Sequence, residues 1–248
     1  MEKQMHLAAQ YLAATGISFL EKQPDDSHTN LGFDNATGRL CTHILSENDD
    51  QLCLDYNKFA LQWTSKKGTT TFELDGATHA EALSWLADTS KAHLNKTYQY
   101  AFHYDLPYSI DDSFTFELLD ADRLLALKNL RELAELVLEK IDQNYNLKTS
   151  IRVWPHHFDS GLYSPLPDSD ITIGLGLAIP DTVSQKHYLY ISGYKNGKTI
   201  DTSQLPKLAS GEWKSGGFTG AILNADNIVV ADGVAFFEDA ITQLKNNS

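Results

Sequence analysis

The chain has 248 residues, two cysteines and a formal charge of −13 at pH 7. A chain of this length buries roughly 70–75% of its unfolded surface, so neither a metal nor a disulfide is needed merely to fold it. Its acidity excludes a nucleic-acid partner and an anionic membrane surface, both of which need clustered Lys and Arg, and no apolar run is long enough to span a bilayer.

Glu2, Lys3 and Gln4 open on a broken Ala/Leu pattern with no sustained apolar stretch. The start therefore reads as a helix and not as a signal peptide, and the cytoplasm is the expected location. Cys41 and Cys53 fall on neighbouring strands of the reading below. A bridge is geometrically allowed, but two buried free thiols are expected in such a compartment.

In chain order, Met5, Leu7, Ala8, Ala9 and Leu12 predict a helix over 3–15 that stops at Thr15-Gly16. Phe33, a turn at Asn35-Ala36-Thr37-Gly38 and the run 39–45 predict a hairpin. Two further strands are expected, one from 52–55 continuing through 58–63 and one at 69–74. Asp75-Gly76 breaks the sheet, and Thr78 with Glu81 forms a capping box for a helix over 79–93. His79 and His93, at its two ends, are expected to be solvated.

Residues 98–105 alternate four aromatics with Gln99, Ala101, His103 and Asp105, which predicts a strand with one polar face. Residues 119–145 carry a broad leucine-rich stripe and Asp120 and Asp122 in the first turn, the strongest helix of the chain. Ile151 to Trp154 reads as a strand that runs into Pro155 and so leaves its sheet near the histidines. In 171–179 one face is Ile and Leu while the other holds only Thr172, Gly174, Gly176 and Ala178. Such a bare face admits a ring, a helix backbone or a ligand. A strand over 188–194, a Pro- and Gly-containing linker, a strand over 218–223 and a helix over 234–245 complete the reading.

Aromatic, imidazole and carboxylate groups crowd together in Trp154-Pro155-His156-His157-Phe158-Asp159. With strand alternation, His157 and Asp159 share one side and Trp154, His156 and Phe158 the other. His103 and Asp105 form a second His-x-Asp pair ahead of a second proline. Imidazole with carboxylate suits a divalent transition metal, zinc, iron, nickel or manganese, so His103, Asp105, His157 and Asp159 are the candidate ligands of a metal-dependent hydrolase. The competing reading is a binding pocket near the same stretch, with Trp154, His156, His157, Asp159 and Tyr190 against a small molecule. A third is a structural network in which the histidines settle a loop, with no small ligand. No P-loop, HExxH, GxSxG or dinucleotide fingerprint occurs, and the sequence leaves open whether the protein is an enzyme.

Helix, Phe-Asp, strands, Asp-Gly and helix recur in the order Phe33-Asp34, Asp75-Gly76 and Phe158-Asp159, Asp232-Gly233. This reads as an internal duplication into halves 1–110 and 111–248, or one compact domain with pseudo-symmetry. The fold class expected is α+β, mainly antiparallel sheets flanked by helices. The Trp-Pro-His-His-Phe-Asp block resembles one found in uncharacterised bacterial proteins, a domain family of unknown function. That resemblance implies neither an activity nor catalytic residues.

Overall fold

A computed structural model describes residues 1–106 and 108–246. The fold is α+β, with four α-helices and two antiparallel sheets among the described residues. It divides into two compact units. Unit 1 comprises 1–129 and 153–158, and unit 2 comprises 130–152 and 159–248. No described helix is long and apolar enough to cross a membrane.

Unit 1 opens on α1 (Glu2–Phe19), in which every residue from Gln4 to Gly16 is buried. The helix runs through Gly16, where a stop was expected. A Cβ there would stand 2.4 Å from the carbonyl oxygen of His28, so glycine serves close approach of two backbones and not termination. The strands β1 (Gly32–Asp34), β2 (Arg39–Cys41), β3 (Gln51–Asp55), β4 (Ala60–Ser65) and β5 (Gly68–Glu73) form a sheet in sequence order. Helix α2 (His79–Leu94) starts on the expected capping box, Thr78 and Glu81 bonding reciprocally.

Cys41 lies directly opposite Cys53 across β2 and β3, and the two form a disulfide, not the free thiols expected. The register decides this, because it places the Cα atoms only 4.1 Å apart. Sequence spacing alone could not fix that register.

The alternating stretch 98–105 belongs to no strand. Its alternation survives nonetheless: Tyr98, Tyr100, Phe102 and Tyr104 turn inward while Gln99, Ala101, His103 and Asp105 are exposed. The segment runs as a strap antiparallel to α1. Tyr98 Oη donates to the Tyr11 carbonyl at 3.3 Å, Tyr104 Oη donates to Gln10 Oε1 at 2.9 Å, and Tyr108 packs edge-on against His6.

Helix α3 (Ala121–Tyr145) passes from unit 1 into unit 2 after Asn129. The second sheet comprises β6 (Arg152–Trp154), β7 (Asp159–Pro165), β8 (Ile171–Ala178), β9 (Tyr188–Lys195), β10 (Lys198–Thr199), β11 (Glu212–Gly216) and β12 (Phe218–Asn224). Its order is β11-β12-β9-β8-β7-β6, with β10 beside β9. Strands β7 and β11 lie where a departure from the sheet and a linker were expected. Ile171, Ile173, Leu175 and Leu177 of β8 pack in one core with Ala134, Val137 and Ile141 of α3 and with Phe237, Ile241 and Leu244 of α4 (Val230–Asn246).

The duplication finds no support. A five-strand meander and a sheet whose β9 lies between β8 and β12 are different topologies. Phe33 sits in a strand and Phe158 in a turn. Asp75-Gly76 precedes its helix, whereas Asp232-Gly233 lies inside α4, where Gly233 lets the helix approach Val137.

Candidate functional site

The Trp-Pro-His-His-Phe-Asp stretch does not continue as a strand. Residues 155–158 form a tight turn in which the Phe158 N–H donates to the Trp154 carbonyl at 2.6 Å. Period-two facing therefore fails there, and the shared side proposed for His157 and Asp159 has no basis. Phe158 is buried with φ +59°, a left-handed conformation that costs a bulky residue about 1–2 kcal/mol. Its ring stacks on His6 at 4.8 Å between centroids, nearly parallel, which offsets that cost.

Helix α1 holds this turn through its buried polar residues. The Pro155 carbonyl accepts from His6 Nε2 at 2.8 Å and from Gln10 Nε2 at 2.7 Å. A carbonyl only accepts, so the proton of His6 sits on Nε2 in this contact. His6 and Gln10 were missed in the sequence, although two polar residues four apart in an otherwise apolar helix are a readable signal. Above the turn, Tyr104, His156 and His157 form a run of ring contacts at 5.6 and 4.3 Å, and Trp154 meets His156 edge-on at 6.1 Å.

His79 is buried, not solvated. Its Nδ1 shares a hydrogen bond of 2.6 Å with Tyr11 Oη, and Tyr100 packs edge-on against its ring. Burial lowers the pKa of His79, against the pull of Asp112 and Asp111, and burial raises the Tyr11 hydroxyl, so both partners stay neutral. His93 also has a partner: its Nδ1 and Trp63 Nε1 meet Asp50 Oδ1 at 3.0 and 2.8 Å, while Ser46 Oγ donates to Oδ2. Burial pushes the Asp50 carboxyl up, and these donors outweigh it and hold it below the usual range.

The candidate metal ligands are not assembled. His103 pairs with Asp26 at 3.1 Å in an exposed contact, Asp105 and His157 are exposed, and Asp159 faces a tyrosine hydroxyl. Among the described residues no group of three or more His, Cys, Asp or Glu is placed to hold a metal ion.

Unit 2 brings together Asp159 and Tyr190, two of the expected ligand-binding residues. Tyr190 of β9 lies opposite Gly176 of β8, which lies opposite Gly161 of β7. A Cβ on either glycine would stand 2.9 Å from Tyr190 Oη, so the bare face is what lets that side chain cross two strands. The hydroxyl then donates to Asp159 Oδ2 at 2.6 Å. Burial, reinforced by the Asp159 charge, keeps Tyr190 protonated well above its ordinary range. The other oxygen, Asp159 Oδ1, is buried and has no hydrogen-bond partner.

The same face continues with Tyr188, whose hydroxyl donates to Asp181 Oδ2 at 2.9 Å, with Phe218 beside Tyr190, and with the Tyr163–Tyr194 pair. Asp181 lies in a loop with no sequence signal of its role. Trp154, His156 and His157 belong to unit 1, whereas Asp159 and Tyr190 belong to unit 2. No family model, curated protein or solved structure matches the chain.

Proposed function

We propose that the protein binds a small molecule through the aromatic face of the unit 2 sheet, with Asp159 and Tyr190 as its polar anchor. The observation that carries this reading is Asp159 Oδ1, a buried acceptor without a donor. Such an atom costs about 1–3 kcal/mol, and more when charged, unless something donates to it. A ligand N–H or O–H at that atom recovers the cost. The rings of Tyr163, Tyr194 and Phe218 offer an apolar surface for the remainder of the ligand, and the second carboxylate, Asp181, favours a cationic group, an amine or a guanidinium.

The test is a thermal-shift screen of small amines, guanidinium compounds and polyols, followed by titration of any hit. A ligand at 100 times its Kd adds about 2.7 kcal/mol. In a chain of this size that amounts to a rise of roughly 5–10 °C. The rise should disappear in Asp159→Ala and weaken in Tyr190→Phe. A screen without hits, or a shift that persists undiminished in Asp159→Ala, counts against the reading.

A further inference from the structure

Cys41 and Cys53 are the only cysteines of the chain and face each other across two adjacent strands. Cys53 is buried, whereas Cys41 is partly exposed, so Cys41 is the half of the pair that solvent reaches. The bridge encloses residues 42–52, and that segment has fastenings of its own. The Thr42 and Leu52 backbones bond at 3.0 Å, Gln51 Nε2 donates to the Thr42 carbonyl, Leu45 N–H donates to the Asp50 carbonyl, and Asp50 is held by Ser46, Trp63 and His93. Strand β3 is also paired along its whole length with β4. These contacts tie the segment to its neighbours in addition to the sulfur–sulfur bond.

We propose that Cys41–Cys53 is a reversible thiol–disulfide exchange site that opens and closes in the folded protein, with a dithiol reductant as its co-reactant. A thiolate of the reductant attacks Cys41 Sγ. The sulfur–sulfur bond breaks with its electron pair on Cys53 Sγ, which takes a proton from water. The second thiolate of the reductant then displaces Cys41, which is protonated in turn, and the reductant leaves as its own disulfide. The protein disulfide gains two electrons and two protons, and the dithiol loses the same. The ladder keeps the two thiols opposed, so reoxidation is intramolecular and fast.

The experiment treats the full chain with dithiothreitol in native buffer, traps thiols with iodoacetamide and reads intact mass beside far-ultraviolet circular dichroism. The expected result is two adducts on a chain whose spectrum is unchanged. Closure in oxidised glutathione after the reductant is removed should proceed at a rate independent of protein concentration. Reduction seen only after urea unfolding, or loss of sheet signal on reduction, overturns the proposal. Single-serine variants locate the attack: Cys41 in Cys53→Ser should form a glutathione adduct roughly tenfold faster than Cys53 in Cys41→Ser. Equal rates overturn the assigned order. Should either variant fail to fold, the trapping of the wild-type chain decides the proposal.

Discussion

Two stretches of this protein alternate with period two, and only one of them is a strand. Residues 171–178 form β8 in the middle of the unit 2 sheet, whereas 98–105 lie along α1 outside any sheet. Both keep one face in and one face out. The difference lies in what the second face carries. In β8 it carries glycines, which let Tyr190 lie across the neighbouring strand and allow tight pairing on both sides. In the strap it carries Gln99, Ala101, His103 and Asp105 in solvent, while the aromatic face fills the surface of a helix. Alternation therefore encodes a segment with two unlike faces. It does not say whether the backbone amides find a sheet.

The sharpest way to break the comparison is to refill the bare face of β8. In Gly176→Ala the new Cβ would stand 2.9 Å from Tyr190 Oη and closer still to the Ser160 carbonyl, which is backbone and cannot swing away. A loss of about 3 kcal/mol or more is expected, read from urea unfolding. The Tyr190–Asp159 contact should fail with it. A loss below roughly 1 kcal/mol would mean that the glycines are incidental and that the strand, not its bare face, places Tyr190.

A second difference concerns what covers the other face. The leucine face of β8 is roofed by α3, and that helix carries Glu135, pushed up to about 7, first by burial and then by the charge of Glu139, against Arg152 and Arg131. A raised carboxyl pKa means that the folded state holds the proton more tightly than the unfolded chain. Its contribution is complete below about pH 4.5 and is lost as pH rises through 7. Allowing for solvent at a partly exposed group, Glu135→Gln should stabilise the protein by about 1–2 kcal/mol at pH 8 and change little at pH 4. Equal unfolding midpoints of variant and wild type at both pH values would sink the assignment.

The fold class was legible because strong patterns set it: the capping box at Thr78, the leucine stripe of α3 and the alternation of β8 all appear where expected. What was not legible depended on contacts far apart in sequence. Gly16 looks like a helix stop until the His28 carbonyl lies against it, and Cys41 and Cys53 look free until their register is known. The site was half legible. Asp159 and Tyr190 were named from residue type and do meet, but the turn at Phe158 removes the strand geometry on which the His157–Asp159 pairing rested.

The smallest expected effect is also the most discriminating between the two stretches. Ala101 faces solvent on the strap, so Ala101→Thr should change stability by less than about 0.5 kcal/mol. Its amide makes no ladder bond, because no strand pairs with 98–105. Amide hydrogen exchange should therefore be orders of magnitude faster at Ala101 and His103 than at Leu175, whose strand is paired on both sides. Protection at Ala101 approaching that of Leu175 would mean that the strap has acquired a hydrogen-bonding partner, and the distinction between a strap and a strand would fall for this chain.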